Sequence, residues 1–168
     1  AGDLFVCWYF STGEPLLNKH LGDIVAETRG KEIFSCISTN LSLPLTDARI
    51  DELLTCGLGC ISGSLDGASS ETYVQYRRGG QFDLVVGNMR RLVARKRELG
   101  LRLPHIEWRF LVFEHNHHEI PRARQLAREW GVDLLEFYPG LAPIDPPVGE
   151  VRAVPANLPL DLAHEGPA

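Results

Sequence analysis

The chain has 168 residues, 44% of them hydrophobic and 23% charged, enough for one domain with an apolar core of its own. A formal net charge of -5 and a pI near 5.7 exclude the excess of Lys and Arg that marks a phosphate-binding surface, so no nucleic acid partner is expected. No apolar run approaches the ~20 residues of a membrane span and no leader pattern opens the chain, so no membrane partner is expected either, and four cysteines without framework spacing point to a reducing, cytoplasmic setting.

Leu4 to Phe10 is a continuous apolar and aromatic run, the pattern of a buried strand. Asn18 is placed to cap a helix that sets Leu21, Ile24, Val25 and Thr28 on one face. Ile33 to Ser38 reads as a second strand. Thr46 and Asp47 open a helix through Ile50, Leu53 and Leu54, which Gly57 stops. Cys60 to Leu65 is a third strand, ending in the turn signal Asp66-Gly67. Ser69, Ser70 and Glu71 start a small helix to Arg77, and Gly79-Gly80 breaks it.

The strongest helical period follows, with Phe82, Val85, Val86, Met89, Leu92 and Val93 at three- and four-residue steps. Its basic residues Arg90, Arg91, Arg95, Lys96 and Arg97 read as a solvated face. Ile106 to Phe113 alternates apolar side chains with Glu and Arg, as strands do. Ile120, Ala123, Leu126, Ala127 and Trp130 form a further helix ended by Gly131, and Val132 to Tyr138 a last strand. Residues 1–139 are thus expected to be one core, and the Pro-rich stretch 140–168 an irregular or disordered tail.

Strands alternating with helices predict a parallel sheet with helices packed on it. Such sheets place their chemistry at the carboxyl ends of the strands. Thr12-Gly13-Glu14, Ser38-Thr39-Asn40, Ser64-Leu65-Asp66, His115-Asn116 and Tyr138-Pro139 stand at those ends. Gly13 lets a ligand approach the backbone, Glu14 offers a carboxylate suited to a ligand ammonium, and Pro15 fixes the turn. The other reading of Glu14 is a plain strand-to-helix turn with the carboxylate as partner for the helix start. Thr39, Asn40, Ser64 and Asp66 could hold the hydroxyls and carboxylate of a small polar ligand, or serve as turn and cap residues.

Gly13-Glu14-Pro15-Leu16-Leu17-Asn18, Ser38-Thr39-Asn40, Ser64-Leu65-Asp66-Gly67, Tyr76-Arg77-Arg78-Gly79-Gly80-Gln81-Phe82 and Asn88 occur in the order and spacing of the radical S-adenosylmethionine (SAM) superfamily. The likeness is to the branch that often bears a C-terminal cysteine-rich SPASM domain. Pro104 to Phe110 followed by Asn116 and Glu119 is similar to that branch as well. The resemblance covers Asp3 to Pro139 and implies a partial parallel (β/α)6 TIM-like barrel with about five βα units. It places Thr12-Gly13-Glu14 where the family has a Gly-Gly-Glu motif for the methionine amino group of SAM, with Thr12 a departure. It puts Thr39, Asn40, Ser64 and Asp66 near the SAM ribose, its carboxylate or the substrate mouth, and matches Arg77 to a recurrent arginine. The implied chemistry is reductive cleavage of SAM by a [4Fe-4S] cluster to a 5′-deoxyadenosyl radical, which abstracts hydrogen from a small-molecule or peptide substrate.

The family's Cys-x3-Cys-x2-Cys motif lies upstream of the glutamate, where this chain has only Cys7. Cys36, Cys56 and Cys60 read as buried thiols, so the cluster ligands are expected outside this chain and no metal ligand is assigned within it. The expectation is a fragment of a longer enzyme, inactive alone. The alternative is a degenerate, non-catalytic binding module for a metabolite or partner protein. A sheet lacking its first strand should also expose an edge through which the chain self-associates. Glu114-His115-Asn116-His117-His118-Glu119 lacks the spacing of a helical zinc motif and reads as a polar loop. No catalytic residue is assigned.

Overall fold

Alternating strands and helices leave a chain few options, because each helix must carry it back to the start of a parallel neighbour. The computed structural model, which describes residues 5–10, 12–31, 33–140 and 152–153, follows that logic. Its elements are β1 (Phe5–Trp8), α1 (Leu21–Ala26), β2 (Ile33–Thr39), α2 (Asp47–Thr55), β3 (Cys60–Ser64), α3 (Ser70–Tyr76), α4 (Phe82–Glu98), β4 (His105–Val112), α5 (Ile120–Trp130) and β5 (Leu134–Pro139). The five strands pair in chain order, β1-β2-β3-β4-β5, and every pairing is parallel. They form a half-barrel with the helices outside, the partial TIM-like barrel that the family resemblance implies.

The core lies between sheet and helices. Ile37, Ile61, Trp108, Phe110, Leu135 and Phe137 point outward from the strands and pack with Leu53, Val85, Met89, Leu92 and Ala123 from the helices. Trp108 is fully buried; its ring stacks on Trp130 at 4.9 Å, and its indole N–H donates to the Leu65 carbonyl at 2.7 Å. Thr46 caps α2 by accepting from the Arg49 amide, as its position predicts. Gly131 ends α5 in the left-handed conformation, φ 76°, where a side chain would be strained.

Four local expectations change. β1 is not a buried strand: Phe5, Val6 and Trp8 are exposed, because among the described residues β1 stands at the sheet edge with β2 as its one neighbour. Pro15–Leu17 close a 3-10 turn, so α1 starts at Leu21 and Asn18 does not cap it; the Asn18 side chain accepts from the His20 amide instead. α1 is only 6 residues long and touches its neighbours through Leu21, Gly22 and Val25, leaving Ile24 43% exposed. The basic face of α4 is not simply solvated. Lys96 is buried and pairs with Asp133 at 2.7 Å, while Arg91 and Arg95 reach Asp47 and Asp51 on α2, each at 2.6 Å. The expected tail falls almost wholly outside the described residues. Ala153 makes a bridge to Phe113, and Arg152 accepts from the Glu114 amide. Among the described residues no helix is long and apolar enough to cross a membrane.

Candidate functional site

The carboxyl ends of β1 and β2 are joined by Glu14. Gly13 has φ +102°, a conformation only glycine adopts without strain, and a Cβ there would meet nothing within 4 Å. The turn therefore needs glycine for its backbone angle, and the space beside it is open. Glu14 follows in extended conformation and caps the 3-10 turn by accepting from the Leu16 amide at 3.1 Å. Its carboxylate also accepts from the Thr39 hydroxyl at 2.6 Å and the Asn40 amide at 2.8 Å. Glu14 thus takes part in the turn and is also a carboxylate fixed at the sheet mouth. Three donors occupy it, and a carboxylate has about four acceptor sites.

Behind Thr39 the chain turns sharply. Leu41 is buried with φ 52°, an uncommon angle for leucine. Asn88 of α4 holds this turn by donating to the carbonyls of Leu41 and Leu43 at 2.9 and 2.8 Å. The Asn40 side chain accepts from the Ser42 amide at 2.8 Å.

A second polar group forms at the ends of β3 and β4. Asp66 is fully buried; it accepts from Arg77 Nε at 2.6 Å and from the Leu111 amide at 2.7 Å. Burial raises its pKa, and the Arg77 charge opposes that rise. Arg77 ends α3, its guanidinium 5.2 Å from the centre of the Tyr76 ring. Asn116 donates to the carbonyls of Asp66 and Leu111 at 3.0 and 2.9 Å. Glu119, also buried, accepts from the Ala68 amide at 2.7 Å and from the Thr72 hydroxyl. The structure therefore brings Gly13, Glu14, Thr39 and Asn40 into one cluster and Asp66 with Arg77 into another. Ser64, opposite Arg109 in the strand register, stands between them.

Spacing alone did not single out the floor of the half-barrel. Ser38, Ser62, Glu107, Arg109, Glu136 and Tyr138 line an open cavity of about 490 Å³ on the concave side, with Trp8 and Phe10 at its β1 end. The signal was in the sequence. Alternation in Ile106-Glu107-Trp108-Arg109-Phe110 places Glu107 and Arg109 together on the face opposite the core. Burial raises the pKa of Glu107, and the charges of Glu136 and Asp133 add to it.

Cys36 and Cys60 are register partners on this concave face, both buried. Burial and the Glu107 charge push the Cys36 thiol up to about 11, and burial raises Cys60 and Cys56 as well. Protonated thiols are poor metal ligands. Cys7 pairs in register with Ser35, whose side chain meets Thr28 on the helix side, so it lies on the other face of the sheet. Among the described residues no group of three or more His, Cys, Asp or Glu side chains could hold a metal ion. The residues present do not fit a [4Fe-4S] cluster. His115, His117 and His118 do not converge either: His117 Nδ1 lies 2.7 Å from the Glu114 carbonyl, while the His115 ring stacks on Phe113.

Residues 3–107 match the model of the Radical SAM superfamily. PqqA peptide cyclase of Xanthomonas campestris pv. campestris (strain B100) is 28% identical over 131 residues, 76% of this chain and 32% of the relative. The chain thus spans about a third of the curated relatives it matches. SuiB of Streptococcus suis, solved bound to S-adenosylmethionine, superposes with a TM-score of 0.61 at 14% identity, over 79% of this chain and 28% of that one. Archaeal TYW1 gives a TM-score of 0.59 at 14% identity, over 80% and 42%. The family model covers well over half of the sequence, and the chain belongs to the radical SAM superfamily.

Proposed function

We propose that this chain is the SAM-binding part of a radical SAM enzyme core, with Glu14 as the anchor for the methionine ammonium. The observation behind this reading is the fixed carboxylate at the strand ends, held by Thr39 and Asn40 beside the open space at Gly13. The residues fit: Glu14 keeps acceptor capacity, and the Thr39 hydroxyl and Asn40 amide orient it before a ligand arrives. Ser64, Asp66 and Arg77 complete the rim, Ser64 through its register position opposite Arg109 and the Asp66–Arg77 pair by bracing the loop after β3. SAM supplies a 5′-deoxyadenosyl radical when it is reductively cleaved. The [4Fe-4S] cluster that the family uses would take its thiolates from outside this chain, so this chain alone is inactive in our reading.

A peptide or small molecule is the proposed substrate, in line with relatives named as a peptide cyclase and as a protein bound to its precursor peptide. Four free cysteines support a reducing, cytoplasmic setting. The test is isothermal titration of SAM into the chain. Glu14→Ala is expected to weaken binding at least about tenfold, and an unchanged affinity would remove the role given to Glu14.

A further inference from the structure

The concave floor is uneven in charge. Among the described residues that line its cavity, Arg109 is the one cation, with Glu107 two residues before it on the same strand and Glu136 opposite it in the register. Two glutamates this close would be expected to neutralise it, yet Arg109 makes no ion pair among the described residues, and its Nε is buried without a hydrogen-bond partner. The glutamates have other polar neighbours: Glu107 interacts with the Cys60 thiol, Glu136 with the Tyr138 hydroxyl. The Arg109 guanidinium lies over the Tyr138 ring, 4.9 Å from its centre, which fixes the cation without neutralising it. A guanidinium held beside an open cavity and in no close ion pair among the described residues is arranged to receive a carboxylate, which its planar fork matches.

We propose that Arg109 is the specificity-determining residue of the concave face and that the substrate bound there presents a carboxylate to it. This rests on reading the sheet as a SAM-dependent barrel. SAM brings a carboxylate of its own, so the two sources must be separated. The probes are N-acetylglutamate methylamide, its neutral isostere N-acetylglutamine methylamide, and SAM. Each is titrated into the whole chain, with Trp8 at the cavity edge as a fluorescent reporter beside calorimetry.

The acidic probe should bind at least about tenfold more tightly than the neutral one. Arg109→Gln should abolish that preference, Arg109→Lys should keep part of it, and SAM affinity should not change in either variant. Equal binding of the two probes to the wild type, a measurement that needs no variant, would overturn the proposal. So would a preference that survives Arg109→Gln, or a loss of SAM binding in that variant, which would give the guanidinium to the SAM carboxylate. Glu14→Ala separates the two readings. If it leaves SAM binding unchanged while the acid preference persists, the SAM anchor fails and the Arg109 assignment stands.

Discussion

The two faces of the sheet obey different rules. The outer face is packed: Ile61, Trp108, Phe110 and Leu135 are at most 1% exposed and lie against helices. The inner face carries hydroxyls, thiols, two glutamates and an arginine around an open cavity. Neighbouring residues of one strand therefore do unrelated work. Trp108 holds the fold together, while Glu107 and Arg109 on either side of it contribute charge to the cavity. Period-two alternation is enough to produce this division. It also means that stability and binding can be altered nearly independently by moving one residue along the chain.

That contrast can be broken most severely at Trp108. Trp108→Ala removes a buried stack and the hydrogen bond to Leu65, and is expected to cost about 3–5 kcal/mol. Urea unfolding reads it, with Ser38→Ala at a half-buried position of the inner face as the control that should stay within about 0.5 kcal/mol. Asp66→Asn comes next. It keeps an acceptor for the Leu111 amide but sets a neutral group against Arg77, at a cost of roughly 1–3 kcal/mol. A Tm equal to wild type would show that the pair does not brace the loop.

The edge of β1 sharpens the contrast differently. Among the described residues β1 pairs only with β2, and Phe5, Val6 and Trp8 are 59, 49 and 54% exposed. Self-association through this edge is our expectation. Sedimentation velocity should show a concentration-dependent dimer that Val6→Lys shifts to monomer, and a monomer at every concentration would count against it.

The smallest effect is at Glu107. Its folded pKa lies above the ordinary value of 4.5, so its contribution to stability is complete below that pH and is lost as pH rises through the folded value. Glu107→Gln should therefore be more stable than wild type at pH 7, with the advantage vanishing in acid. Urea midpoints across pH test the sign, and an advantage that grows in acid would reverse it.

Much of this was legible in the sequence. The strand and helix order follows from hydrophobic period, and the strand-end position of Glu14 from Gly13 and Pro15. The contacts were not legible where they depend on long-range register. Nothing local pairs Lys96 with Asp133, joins Asp66 to Leu111, or sets Cys36 beside Cys60. Ile24 fits an apolar helical face by spacing, but α1 is too short to bury it. The charge pattern around Trp108 was visible, and which side of the strand faced the helices was not, because that depends on how the other strands lie.

The order of the strands has a consequence for biosynthesis. Among the described residues each of β2 to β5 pairs with the strand immediately before it in the chain, so each finds its earlier neighbour already made as it leaves the ribosome. At a pace of about 5–20 residues per second, seconds separate one strand from the next, ample time for each βα unit to dock before the following one emerges. Among the described residues the sheet can be assembled by successive addition, each strand docking on the edge left by the one before it.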